Sequence, residues 1–167
     1  MNPFVNDYPE ATKIFLREFK KQYKFQDIKK YLSELEPLKV LIIGEGIIDE
    51  YHYCEPMGKA GKANLIVNKY LNQETFIGGA FAIANNVAGL VNEVHLVSLL
   101  GEVDSREDFI QKKIKPNVKP KFFYRSDGPT IVKKRYIHQY MNQKLFEINF
   151  INDRFIEGAL EDKIVAY

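Results

Sequence analysis

The sequence predicts an α/β fold, and three stretches predict it. Lys39-Val-Leu-Ile-Ile-Gly44 is a short unbroken run of branched apolar residues closed by glycine. That is the pattern of a parallel strand buried on both faces. Thr75 to Gly89 reads as a strand end, a Gly78-Gly79 turn and the opening of a small-residue helix. In it Ala80, Ile83, Ala84, Val87, Ala88 and Val91 recur at helical spacing, giving a face small enough to lie close on a sheet. Glu93 to Gly101 is a second buried-strand pattern that closes a β-α-β unit around that helix.

The Gly-Gly turn is the point around which the chain is organised. Two glycines let the backbone take φ > 0 and let a ligand approach with no Cβ in the way. The helix behind them starts with unpaired N–H groups and the positive end of a dipole, which suits an oxygen-rich ligand. A turn that only connects two elements is the plainer reading of the same residues.

The bulk properties narrow the classes. At 167 residues and 19.4 kDa the chain suits one domain, or a domain with an appendage. A net charge of +2 is too small to argue for nucleic acid or a membrane surface. No apolar run approaches ~18 residues, and Met1 to Val5 lacks a basic region followed by an apolar one, so neither a membrane span nor a signal peptide is expected. A single cysteine, Cys54, excludes an internal disulfide and fits a cytoplasmic protein. His52, His95 and His138 form no ligand-spaced pair, so no metal site is expected from them.

Taken in order, residues 1–38 are a helical extension. Pro9 to Thr12 starts a helix carrying Ile14, Phe15, Phe19 and Tyr23 on one face; Asp27 caps a second helix that ends before Pro37. Residues 39–167 form the domain proper. Gly44-x-Gly46 resembles part of a dinucleotide fingerprint, but Asp49 stands where the third glycine belongs. A nicotinamide-binding Rossmann enzyme is therefore the weaker rival. Glu50 to Gln73 holds extended segments standing off the main sheet. Gly58-Lys-Ala-Gly-Lys-Ala63 lacks the spacing and the Ser/Thr of a phosphate-binding P-loop. Asp104 or Ser105 caps a helix running to about Lys113, and Lys121 to Tyr124 is a strand. Thr130 to His138 and Lys144 to Phe150 alternate as an antiparallel hairpin, and Asn152 to Ala166 begins another helix.

Together these segments resemble the PfkB, or ribokinase-like, carbohydrate kinases, and among them the heptose-phosphate kinase branch of bifunctional kinase/nucleotidylyltransferases. Gly44-Glu45-Gly46-Ile47-Ile48-Asp49-Glu50-Tyr51 is similar to that branch's Gly-Asp-x-x-x-Asp-x-Tyr. Gly78-Gly79-Ala80 resembles the opening of the family's first signature, and Asn86 falls on its later Asn. Gly101 with Asp104 looks like the Gly-x-x-Asp after the next strand. Pro129-Thr-Ile-Val-Lys133-Lys-Arg135 resembles Pro-Thr-x-x-Lys-x-Arg, followed by Asn142-Gln143. Ala82 departs from the pattern: the family has an Asn there, so a hydroxyl-reading amide is gone.

The resemblance covers about residues 39–150 and implies a partial three-layer ribokinase-like sheet, with a small β lid from about 50–73 and 121–150 and an N-terminal helical linker. It implies ATP- and Mg²⁺-dependent phosphoryl transfer to the hydroxyl of a sugar or heptose-like sugar phosphate. Asp49 would bind sugar hydroxyls, the Gly78 and Gly79 backbone would line the floor, Asn86 would belong to the same site, and Lys133 and Arg135 would pair with an anionic group. A homodimer through the lid strands is expected. The family's catalytic Asp, in a Gly-Ala-Gly-Asp turn, has no counterpart in this chain. The base and most of the nucleotide pocket are therefore expected in a C-terminal half, with this chain alone inactive. A non-catalytic sugar-binding or dimerising module is the alternative.

Overall fold

The computed structural model describes residues 8–156 and 158–167. The chain divides into two compact units, Met1–Leu38 and Lys39–Tyr167. In the first, α1 (Glu10–Gln22) and α2 (Phe25–Leu35) form where the apolar periodicity places them. Their aromatic residues stay largely exposed, and Phe15, Phe19 and Tyr23 meet in a tilted row along α1 and its C-cap. Asp27 does not stand at the cap. It lies one turn in and accepts the Lys24 backbone N–H at 2.7 Å, so the cap stands three residues earlier than expected, at Lys24.

The second unit carries two sheets. β1 (Lys39–Ile43), β4 (Glu93–Gly101) and β5 (Val118–Arg125) form a parallel sheet in the order β1-β4-β5. β2 (Gly46–Lys59), β3 (Ile66–Gly79), β6 (Ile131–His138) and β7 (Gln143–Phe150) form the lid sheet in the order β3-β2-β6-β7. Its outer pairs are antiparallel and its central pair, β2 with β6, is parallel. α3 (Ala80–Val87) follows β3, α4 (Glu107–Lys113) follows β4, and α5 (Ala159–Ala166) packs near β5. The structure thus has five helices and seven strands among the described residues.

Four differences from the sequence reading have physical causes. β1 is not buried on both faces. It pairs only with β4, and Leu41 and Ile43 are exposed on the side away from α3. Gly44-x-Gly46 opens no helix, because β2 begins at Gly46; the dinucleotide reading fails there. Val118–Arg125 pairs with β4 over eight positions, so the strand at Lys121 belongs to the core sheet and the second lid hairpin begins at Ile131. In α3 the face toward the core is Ala80, Phe81 and Ala84, continued by Ala88 at the C-cap, while Ile83 points outward. The three alanines let the helix approach closely, and Phe81 supplies the bulk.

The lid is fastened to the core at both of its entrances. The Gly46 N–H donates to the Ser98 hydroxyl of β4 at 2.9 Å where β2 begins. The Gly101 N–H donates to the buried Thr130 hydroxyl at 3.0 Å, which in turn donates to the Ser105 carbonyl at 2.7 Å just before β6. Buried hydroxyls paired in this way hold the junctions, because breaking these bonds strands a polar atom away from water.

Candidate functional site

Alternation along the lid strands sorts their side chains onto two faces. On one face two cross-strand rows lie side by side. The first reads Phe76, Asp49, Lys133, Asn149, and the second Glu74, Tyr51, Arg135, Glu147, in each case across β3, β2, β6 and β7. Four strands drawn from distant parts of the chain therefore bring six polar and two aromatic side chains onto one surface.

Asp49 sits at the foot of this face. A Cβ on Gly78 would stand 2.1 Å from Asp49 Oδ2, so the carboxylate lies directly on the glycine backbone. The next residue, Gly79, holds φ 54° and ψ −135° at the start of α3, a conformation closed to side chains. Its following N–H, on Ala80, donates to the Glu45 carbonyl at 3.0 Å. The Gly-Gly turn thus makes room for the Asp49 carboxylate on Gly78, two residues before α3 begins.

Arg135 occupies the middle of the second row. Its Nη1 donates to Asp49 Oδ1 and its Nε forms an ion pair with Glu147 Oε2 at 2.7 Å, while the guanidinium lies over the Tyr51 ring, 5.4 Å from the centroid. Tyr51 meets Phe76 edge to face at 5.8 Å. The hydrogen bond to Asp49 pushes the Arg135 pKa above its ordinary value, against the opposing effect of burial. Lys133, beside Asp49, makes no ion pair among the described residues.

Of the residues singled out from the sequence, Asp49, Gly78, Gly79, Lys133 and Arg135 come together here. Asn86 does not. It is exposed in the last turn of α3, seven residues beyond Gly79 and so roughly 10 Å along the helix. Arg135 is engaged by two carboxylates, not open toward an anionic group. Glu147 was missed, although the alternation of residues 144–150 puts it opposite Arg135 once the hairpin register is known.

The opposite face of the lid is of another kind. Glu50, almost fully buried, has His52 Nε2 at 3.1 Å, Lys134 Nζ at 3.4 Å and Arg106 Nη2 at 3.9 Å. Farther out, His52 stacks on Tyr136 and Tyr136 on Phe146, with centroids 4.9 and 4.4 Å apart. Phe146, Ile148 and Phe150 of β7 remain exposed there. Two open cavities of about 520 and 540 Å³ lie elsewhere, at the carboxyl ends of β4 and β5. One is lined by Arg125, already held at both carboxylate oxygens by Asp127, and the other mainly by acidic residues from Glu102 to Asp108. Among the described residues no group of three or more His, Cys, Asp or Glu side chains is placed to hold a metal ion.

No family model matches the chain. It is 34% identical over 129 residues to the bifunctional protein HldE of Vibrio parahaemolyticus, a match covering 77% of this chain and 26% of that protein. It is 32% identical over 124 residues to HldE of a Shewanella strain (74% and 25% covered) and 27% identical over 136 residues to HldE of Campylobacter jejuni (81% and 27%). The chain spans about a quarter of the length of these relatives. Among solved structures, a carbohydrate kinase from Agrobacterium tumefaciens superposes with a TM-score of 0.52 at 20% identity, over 66% of this chain and 34% of the other. The phosphofructokinase-2 of Escherichia coli, in complex with fructose-6-phosphate, superposes with a TM-score of 0.51 at 11% identity, over 79% and 42%. At such identities the structures speak for the fold, and the HldE proteins for the kinship. Through both, this chain is a relative of the PfkB, or ribokinase-like, carbohydrate kinases.

Proposed function

We propose that this chain forms the sugar-binding side and the lid of a PfkB-type kinase, which transfers the γ-phosphoryl group of ATP to a hydroxyl of a heptose-like sugar or sugar phosphate. The observation that carries the reading is the placement of Asp49. A carboxylate on the first lid strand, seated on Gly78 two residues before α3, can accept hydrogen bonds from the hydroxyl groups of a sugar. Tyr51 and Phe76 offer the apolar shelf on which the C–H face of a sugar ring rests.

Phosphoryl transfer requires positioning, a base for the hydroxyl proton and cations around the γ-phosphate. Among the described residues no group of three or more His, Cys, Asp or Glu side chains is placed to hold a metal ion, and one oxygen of Asp49, Oδ1, is taken by Arg135. In the kinase reading the base, the metal and the nucleotide belong to the family's C-terminal half. What this chain contributes is orientation of the acceptor and exclusion of water by the lid. A homodimer is assigned to the opposite lid face, where Tyr136, Phe146, Ile148 and Phe150 form an aromatic and aliphatic surface. Sedimentation of Phe146→Glu against the wild type reads this directly, with a monomeric variant and a dimeric parent as the expected result.

Asp49→Asn tests the central claim. The amide is nearly isosteric, so the fold should persist while sugar affinity falls by roughly 1–3 kcal/mol, the range for a lost charged hydrogen bond. Calorimetric titration with ribose, fructose and their phosphates, in a chain that binds at least one of them, measures it. Unchanged affinity would remove Asp49 from the site. A non-catalytic sugar-binding module shares this expectation and parts from the kinase reading at sugar-dependent ATP turnover, which only the kinase reading expects once a nucleotide-binding half of the family is supplied.

A further inference from the structure

The Asp49 face of the lid holds one feature that the kinase reading does not use. Asp49, Arg135 and Glu147 form a line in which a single guanidinium serves two carboxylates. The Arg135 side chain is only 14% exposed and Glu147 is a third exposed, so the trio is partly withdrawn from water and screened less than a surface pair. Counting charges, two carboxylates and one guanidinium leave the trio at −1.

Arginine captures phosphate by presenting two coplanar N–H groups to two oxygens at once. Here Nη1 donates to Asp49 and the Glu147 carboxylate is paired against Nε at 2.7 Å, so both edges of the guanidinium already have a carboxylate beside them. A phosphate seated on the remaining N–H groups would stand close to both carboxylates, and like charges at that range repel strongly where water is scarce. A hydroxyl meets no such penalty. It donates to a carboxylate and accepts from the spare N–H groups of Arg135, which has five in all.

We propose that Glu147 is a specificity residue: by occupying Arg135, it reserves this end of the site for sugar hydroxyls and keeps phosphate off the guanidinium. Arg135 is then a positioning residue for Asp49, and any phosphate on the substrate must be received elsewhere. Lys133, in the adjacent row, is the neighbouring cation that no carboxylate engages among the described residues. The proposal rests on the reading that the Asp49 face is the substrate side.

The test uses inorganic phosphate and the Arg135 Nε–H signal in ¹H–¹⁵N spectra, assigned by its loss in Arg135→Lys. Wild type and Glu147→Gln are titrated at constant ionic strength. The expected result is a saturable shift of the Arg135 signal in Glu147→Gln at concentrations at least tenfold below those needed in the wild type. Glu147→Asp, which keeps the charge, should behave like the wild type; Glu147→Ala should behave like the glutamine variant and substitutes for it should that one fail to fold. Equal titration of wild type and variant overturns the proposal, as does a silent Arg135 in both. The outcome is separable from the kinase reading. If Asp49→Asn leaves sugar binding untouched while Glu147→Gln opens Arg135 to phosphate, the mask stands and the sugar site falls.

Discussion

Gly79→Val is expected to abolish cooperative folding of the 39–167 unit, and sugar binding with it. The residue holds φ 54° and ψ −135°, a region that costs a non-glycine residue roughly 1–3 kcal/mol of backbone strain. A Cβ there would also stand 2.5 Å from the Glu45 carbonyl oxygen and 3.0 Å from Ile47 Cγ1. Both neighbours lie where the chain passes from β1 into β2, and the oxygen already accepts the Ala80 N–H. Neither can retreat without loosening the lid. With a branched side chain added, the total approaches the stability of an ordinary domain, about 5–15 kcal/mol. Urea unfolding followed by circular dichroism measures it, and Gly79→Ala separates strain from bulk by losing less. A valine variant with the wild-type midpoint and wild-type sugar affinity would show that the turn does not take this conformation.

Local chemistry made much of the fold legible. The strands at Val40, Glu93 and Thr130, the hairpin turn at Asn142 and the Gly78-Gly79 start of α3 all follow from periodicity and turn residues. What stayed hidden depends on partners far away in the chain. Leu41 and Ile43 look like core residues because their run is uninterrupted, yet a strand is buried on both faces only where the fold supplies two layers. Periodicity placed a helix after Gly79 but chose Ile83 over Phe81 for its inner face, because small and large apolar residues weigh alike in such a count. The assignment of Val118–Arg125 to the core sheet required the β4 register, which no local pattern contains.

The site divides along the same line. Asp49 and the glycines were readable because one short segment fixes them. Arg135 was readable as a cation but not in its state. Its two carboxylate partners lie 86 positions before it and on the next strand, and only the parallel β2–β6 pairing joins the first to it. Glu147 carried a usable signal, since a charge alternating with apolar residues on a hairpin strand must face the same side as its cross-strand partner. A bulge between Tyr136 and Ile137 shifts that register, so counting back from the turn alone would have mispaired it.

Phe81→Ala is expected to cost about 3–5 kcal/mol, the range for truncating a buried aromatic residue, and to weaken sugar binding without touching the sugar. The ring has no exposed surface and meets Phe122 edge to face at 6.1 Å. Its far edge fills the place where a Cβ on Gly46 would stand, with ring atoms 1.8–2.2 Å from that point. The phenyl group therefore rests on the backbone of Gly46, the residue at which β2 leaves the core, three positions before Asp49. Truncation opens a cavity under this junction, and the Gly46 N–H to Ser98 bond loses its packing support. Gly46→Ala should be comparably damaging in the wild type, because its methyl group needs the space of the ring. In the Phe81→Ala background the same methyl group enters the vacated volume, so the second substitution should cost clearly less than the first. Urea midpoints of the four proteins give the coupling. Strict additivity would mean that ring and glycine do not meet, and that the lid is seated on the core by its hydrogen bonds alone.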